Sequence, residues 1–490
     1  MNPSHRRRTL GIAAVAAAGA LAASASAASW SKPVYPPTSG AAQARNYTAA
    51  LGLAQATNGQ AMLLYQTRGN AIYATKRASA SGKWSAPAKW LSGSTAKMDA
   101  YPVVFSALWR KGNAWAMWSR SQGHRIASSS GTYKAGVGGK VVQSADIDPM
   151  NSGGSSPSWS VTASCCSNNA TFGIGVGGTA YAGTVAWGKA PSLVAPTAQV
   201  TAPMVAAGVP LITTPATSST GEVAALLAPI GTSSMLEAGS VPPSPWAAGA
   251  SIDLQNGPSD IAIDSQGNGI IAYTVGLDAA GQPMPQGDAQ PAATGIFTSQ
   301  RVGVLQAPPL LQSFTTADGI CTNLALPGLP WHPSVAGLSV GVNGGTVAVG
   351  FTCVGANQTN LYVSNGAVGG VLPTPTVLTD APANVNSSSP TLSVLDVQVN
   401  ASGQAATILG YGLTQGQTDS LWATVSPNVG APWTFLTAID GCNGGKRQGA
   451  GGGFGRAQLV PFNTGFTATW ECVSADGGTT PNNVGIATYR

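Results

Sequence analysis

Chemistry in this chain has to come from few residues. Of its 490 residues only 8% are charged, and it has three histidines, three glutamates and six cysteines. Two of the cysteines, Cys165 and Cys166, stand side by side in "SCCSNN". Cys353 ("VAVGFTC") and Cys472 ("FTATWEC") each follow an aromatic residue at the end of an apolar run, whereas Cys321 ("TTADGIC") and Cys442 ("LTAIDGC") each follow a turn. Basic groups gather at similar places: Arg68, Arg120 and Lys189 follow apolar runs, Arg125 follows His124 in a turn, and His332 lies in a turn beside Trp331. Glu471 sits between Trp470 and Cys472. A histidine base with an arginine to neutralise a uronate would suit a polysaccharide lyase, with His124 or His332 as base and Arg120 or Arg125 as cation. Each also has a structural reading: a solvated turn histidine, or a Glu471 paired with a loop arginine.

Several chemistries have no residues to run on. No His/Cys set has metal-ligand spacing, and there is no haem motif, Walker loop or nucleophile elbow. Neither a metal nor a cofactor is expected.

The elements that position these residues form a repeat. A Gly or Asn turn precedes a strand of small and apolar residues that ends in an aromatic, as in "NGQAMLLYQTR", "GNAWAMWSRS", "GGTAYAGTVAWGK", "GNGIIAYTVG", "GGTVAVGFTC", "SGQAATILGYG" and "NTGFTATWEC". The aromatics are Tyr65, Trp118, Trp187, Tyr273, Phe351, Tyr411 and Trp470, and "TGEVAALLAPIG" is an eighth copy without one. Each copy is flanked by a preceding strand, a following strand and often a fourth rich in Trp and Pro. Four strands per unit repeated along the chain predict an all-β fold, a β-propeller of eight four-stranded blades, or seven if "EVAALLAPIG" belongs to an enlarged third blade. The aromatics are expected to pack between blades. Trp30–Val34 ("WSKPV") matches Trp84–Ala88 ("WSAPA"), so the N-terminal strand is expected to close the last blade. One domain spans 28–490.

Within this frame the end of the second strand and the start of the next unit's first strand share one face. Cys321–Cys353 and Cys442–Cys472 then form disulfides of similar span within a blade, each worth roughly 3–4 kcal/mol in the loop-entropy model. Cys165 and Cys166, read in the same phase as Cys321 and Cys442, are left to bond each other. Adjacent Cα atoms about 3.8 Å apart are closer than the roughly 4.4–6.8 Å that ordinary disulfides prefer. The same face collects Arg68, Arg120, Lys189 and Trp331 as ligand contacts together with the vicinal pair Cys165 and Cys166.

The turn Ser426-Pro427-Asn428-Val429-Gly430-Ala431-Pro432-Trp433 resembles the Asp-box of sialidase-type propellers, with Asn for Asp and Pro for Thr. Shorter relatives run from Ser79 to Trp84 and from Ser128 to Tyr133, and Ser474–Pro481 keeps the Asp but loses the Trp. The resemblance implies a sialidase-like fold rather than an activity. A sialidase would also need an arginine triad and a Tyr–Glu pair, and the Arg-Ile-Pro motif that goes with them is missing. A vicinal disulfide in an eight-bladed ring is similar to quinoprotein alcohol dehydrogenases, but their regular Trp-docking repeats are not found here.

Residues 1–27 read as a signal peptide: Arg6, Arg7 and Arg8, an apolar run from Leu10 to Ala23, and Ala25-Ser26-Ala27 as a cleavage site. The arginine pair before Thr9 leaves a twin-arginine route open. No later segment is long and apolar enough to span a bilayer. Without the three arginines, 20 of the 23 basic residues remain against 17 acidic, a balance of +3. That excludes a nucleic-acid partner argued from charge. The expectation is a secreted or periplasmic monomer that binds an extracellular glycan or a surface protein, with a glycoside hydrolase or lyase and a protein-interaction scaffold as alternatives.

Overall fold

The computed structural model describes residues 28–35, 52–67 and 71–91, and beyond these the strands given below with the tight turns that join several of them. Among the described residues every regular element is a strand, and no helix is long and apolar enough to cross a membrane. Sheet one holds β1 (Gly52–Gln55), β2 (Ala61–Gln66), β3 (Ile72–Arg77) and β4 (Ala88–Leu91); sheet two holds β5 (Phe105–Arg110), β6 (Asn113–Arg120), β7 (Arg125–Thr132) and β8 (Lys140–Asp146). Sheet three holds β9 (Ser158–Ala163), β10 (Asn169–Val176), β11 (Thr179–Trp187) and β12 (Pro191–Ser192); sheet four holds β13 (Ala216–Thr217), β14 (Val223–Leu227), β15 (Ser234–Gly239) and β16 (Ser251–Ile252). Sheet five holds β17 (Ser259–Ile263), β18 (Gly269–Leu277), β19 (Ala293–Arg301) and β20 (Leu310–Thr315); sheet six holds β21 (Val335–Asn343), β22 (Thr346–Val354), β23 (Thr359–Ala367) and β24 (Thr376–Leu378). Sheet seven holds β25 (Thr391–Val399), β26 (Ala405–Gly412), β27 (Ser420–Ser426) and β28 (Thr437–Asp440); sheet eight holds β29 (Gly453–Phe462), β30 (Gly465–Val473) and β31 (Asn483–Tyr489). Every sheet is an antiparallel meander in chain order, the construction of a propeller blade.

The strands read as near-continuous apolar runs because both faces of a sheet are covered by its neighbours. Val347, Val349 and Phe351 of β22 pack toward Ile270, Ala272 and Ile296 of sheet five. Ala348, between them, belongs instead to a cluster with Val397, Val399, Leu409 and Trp433 of sheet seven. The second-strand aromatics Tyr65, Phe351 and Trp470 are fully buried, and Tyr273 nearly so. Three of them stack on their register partners in the third strand: Tyr65 on Tyr73, Tyr273 on Phe297 and Phe351 on Tyr362, the last pair 5.1 Å apart. Burial alone pushes the Tyr273 phenol up to about 12. Trp470 has no aromatic opposite. Its partner is Gly485, where an added Cβ would collide with the indole ring.

Turn chemistry repeats between first and second strands. Asn400 Oδ1 accepts from the amides of Ser402 and Gln404, and Asp264 Oδ1 accepts from those of Gln266 and Asn268. These are Asx turns, in which a short side chain replaces a backbone acceptor. Between third and fourth strands, the Ser426 hydroxyl donates to the Asn428 and Ala431 carbonyls while Trp433 packs between sheets six and seven. The residue after that tryptophan then ties the fourth segment back: Thr434 N donates to Val425 O, and Thr434 Oγ1 accepts from Val425 N. Ser85, after Trp84, makes the same pair of bonds with Lys76. So does Ser31, after Trp30, with Thr488 of β31. The N-terminal segment thus lies antiparallel beside β31, bridging at Trp30–Tyr489 and Val34–Ile486. Tyr35 meets the Trp470 ring edge-on at 6.5 Å.

Successive sheets are tied along their first strands. Asp260 of β17 accepts from Ser339 Oγ (2.7 Å) and Val340 N (2.9 Å) of β21. Ser339 Oγ accepts in turn from Val397 N of β25 (3.1 Å), and Asp396 Oδ2 of β25 accepts from Leu459 N of β29 (2.7 Å). Burial pushes the Asp396 carboxyl up to about 7 and nearby Asp260 adds to the rise, against hydrogen bonds from Leu459, Gln398 and Val397 that pull it down. Sheet eight then meets sheet one. Gln55 Nε2 donates to Val460 O, Asn463 N donates to Thr57 O, and Val484 and Ile486 share a cluster with Leu53, Leu63 and Tyr65.

At the foot of that seam Arg77 is 2% exposed. It donates to Gly59 O (3.0 Å), Gln55 Oε1 (2.9 Å), Thr467 Oγ1 (2.6 Å) and Thr488 Oγ1, and lies over the Trp84 ring at 5.0 Å. Burial, with a smaller push from the Arg490 charge, brings its guanidinium down to about 10, so it stays protonated at neutral pH.

The third unit differs from the sequence reading. "TAYAGTVAW" was expected as a second strand, but it is β11, third in its sheet, and β9 pairs directly with β10. Residues 164–168 therefore link first and second strands, and 188–190 link third and fourth. Cys165, Cys166 and Lys189 lie outside the described residues. The difference in strand order has a local reason: β10 and β11 are both runs of small and apolar residues containing an aromatic, and each satisfies the second-strand pattern.

Three outcomes test these contacts. Arg77→Met should lower unfolding stability by about 3 kcal/mol, on the scale of orphaning several buried acceptors, as read from urea midpoints. Gly485→Ala should cost on the order of 1–3 kcal/mol through overpacking against Trp470, by the same measurement. Asp396 holds its proton up to about 7 when folded but releases it near 3.8 when unfolded, so its contribution is fully present below 3.8 and is lost as pH rises through about 7. In urea titrations across that interval the stability of Asp396→Asn relative to the native chain should rise with pH; a constant difference would show that Asp396 is not the group titrating.

Candidate ligand-binding face

Alternating strand direction brings the links between second and third strands, and those from one sheet to the next, to a common end of the sheets. Gln66 and Thr67 end β2 there and are buried. Arg120 ends β6, Arg125 begins β7 and Asp146 ends β8. Cys353 and Cys472 stand near the ends of β22 and β30, and both are disulfide-bonded. Their expected partners Cys321 and Cys442 lie outside the described residues, as do Arg68, His124, Trp331 and His332.

Glu471 is fully buried in β30, opposite Val484. Thr467, Thr469 and Glu471 alternate along the strand and so share the face toward sheet one; Thr467 contributes to the Arg77 network at the foot of that row. The first strands carry bulges at the level of the bonded cysteines. In β29 the register passes from Phe454–Cys472 to Ala457–Trp470, which sets Gly455 and Arg456 beside Glu471. In β21 it passes from Val335–Cys353 to Gly337–Thr352. A bulge twists its strand and re-aims the residues around it, and bulges gather next to sites.

Polar atoms without partners among the described residues mark the same region. Thr352 Oγ1 and Asn360 Nδ2 in sheet six are buried and make no hydrogen bond, and in the seam neither do the Tyr65 hydroxyl nor Thr469 Oγ1. Burial and the neighbouring Tyr73 push the Tyr65 phenol well above its usual range, so it remains a neutral donor. Among the described residues no three His, Cys, Asp or Glu side chains come together in a way that could hold a metal ion. The bulges and these buried polar groups were missed in the sequence; the one signal for them is the polar residue that follows four of the second-strand aromatics: Gln66, Thr274, Thr352 and Glu471, all fully buried.

No protein-family model matches the chain, and no curated protein matches it. Among solved structures, polysaccharide lyase Uly1 is similar with a TM-score of 0.42 at 10% identity, over 78% of this chain and 89% of that one. The Aleuria aurantia lectin with Fucα1-6GlcNAc gives 0.33 at 10% identity, over 82% and 99%. AofleA from Arthrobotrys oligospora gives 0.33 at 9% identity, over 84% and 90%. TM-scores this low describe loosely similar chain paths, and the site is read from this chain's own residues.

Proposed function

We propose that the chain is a secreted, closed eight-bladed β-propeller that binds carbohydrate at the end of the sheets where Arg68, Arg120 and Trp331 belong. Closure is supported by the bonds of Gln55 and Arg77 to sheet eight and by the N-terminal segment beside β31, which supplies a fourth strand to the last blade. The single observation that carries the binding reading is the build of the face. Paired strands end in buried polar groups beside disulfide-bonded Cys353 and Cys472, each flanked by a bulge. A rigid rim of this kind holds variable loops in place, which is how scaffolds present binding residues. We assign the disulfides as Cys321–Cys353, Cys442–Cys472 and Cys165–Cys166. A chain with few charges and many hydroxyl and amide groups matches a hydroxylated ligand.

A second reading, a polysaccharide hydrolase or lyase, is favoured by one feature, the buried carboxyl of Glu471 on this face. Release of reducing or unsaturated ends from polysaccharides, abolished in Glu471→Gln, would establish it over binding alone.

A glycan array probed with the mature chain tests the leading reading. Binding to a defined set of glycans is expected. Silence across neutral and acidic glycans, with capture of a partner protein instead, would overturn it in favour of a scaffold.

A further inference from the structure

The end of the β6–β7 hairpin carries an arrangement found at none of the other described hairpin ends on this face. Arg120 and Arg125 are direct register partners, and Arg125 is in turn opposite Asp146 of β8. Directly opposed residues share a face of the sheet, with Cβ atoms about 5 Å apart. At the corresponding ends the pairs are Gln66–Ile72, Leu277–Ala293, Val354–Thr359, Tyr411–Ser420 and Cys472–Asn483, none of them charged. The arginine pair is therefore no part of the repeat that builds the fold. Like charges directly opposite destabilise a strand pair, and this chain uses charge sparingly. Asp146 offsets one of the two, and the row keeps one positive charge.

We propose that Arg120 and Arg125 form an oxyanion site, and that the glycan bound on this face is acidic, presenting a carboxylate or a sulfate ester. The proposal rests on the carbohydrate reading above for the identity of the ligand, while the site itself rests on the register. A guanidinium carries a planar fork of donors that matches a carboxylate or sulfate bidentately, and the register places two of them at opposed positions. An anion bound to both offsets the like charge of the pair, and Asp146 at the next register position limits the excess to one positive charge. A neutral sugar gains nothing from such a row, so charge separates ligands from non-ligands here.

The experiment uses the mature chain and Arg120→Gln, Arg125→Gln and Arg120→Lys variants, with matched sulfated, uronate-bearing and neutral oligosaccharides as probes and sulfate ion as a separate ligand. The native chain should bind acidic oligosaccharides at least about tenfold more tightly than neutral counterparts, a difference near 1.4 kcal/mol. The preference should weaken with added salt. Either Gln variant should bind acidic oligosaccharides no more tightly than neutral ones, and Arg120→Lys should keep part of the preference. Without ligand, Arg120→Gln should melt no lower than the native chain, because it removes a repulsion; a lower melting temperature with the preference intact would mean that the pair is structural and overturn the proposal. Equal binding of acidic and neutral glycans would overturn the oxyanion site and leave carbohydrate binding standing. If no glycan binds but sulfate raises the melting temperature of the native chain and not of Arg120→Gln, the oxyanion site stands and the carbohydrate reading falls.

Discussion

In this chain of consecutive meanders the last sheet contacts the first, and one buried cation sits where they meet. Arg77 leaves β3, enters the seam and donates to two threonines of sheet eight, Thr467 and Thr488, and to Gln55 and Gly59 of its own sheet. Gln55 binds Arg77 and Thr467 through one oxygen and reaches Val460 with its amide. A buried guanidinium is tolerated only when its donors are used. Here that requirement acts as a constraint on geometry, since the sheets must lie at the spacing that lets all these bonds form. Trp84 covers the cation and is itself set by the turn that precedes Ser85.

The other inter-sheet junctions solve a related problem by different means. From sheet five to sheet eight, a short polar side chain on each first strand captures a backbone amide of the next: Asp260, then Ser339, then Asp396. These bonds satisfy amides on an inner edge where no further strand pairs, and they fix how far one sheet turns relative to the next. Using a carboxyl at Asp396 ties this junction to pH, because burial favours its protonated form.

The ties at the foot of the sheets and along their first strands leave the opposite end without them. There the strands finish in buried polar residues, bonded cysteines and bulges, and the charged row of sheet two stands apart from the uncharged hairpin ends around it. The features with no role in holding sheets together lie at the end where the loops are. That division follows from a meander whose links alternate between two ends.

Much of the fold was legible in the residues. The aromatic beat, the Gly/Asn turns and the match between "WSKPV" and "WSAPA" are local patterns, and a strand's alternation and a turn's φ requirement depend only on near neighbours. The stacking of Tyr65, Tyr273 and Phe351 on third-strand aromatics follows from the same periodicity once the strands pair. The third unit was misphased because two similar small-residue runs both fit the pattern, and a run without bulky side chains does not declare its place in a sheet. Little of the candidate site could be read. Nothing in the spacing says that Arg77 meets Thr467 across 390 residues, that Asp396 reaches Leu459, or that bulges sit beside Cys353 and Cys472. Those depend on register and on how sheets stack, which are properties of the assembled chain. The sequence by itself determined which segments become strands and where they turn, because backbone preference and side-chain alternation act over a few residues. Only the tertiary structure decided which polar groups are buried together, because desolvation acts between segments that meet only after folding.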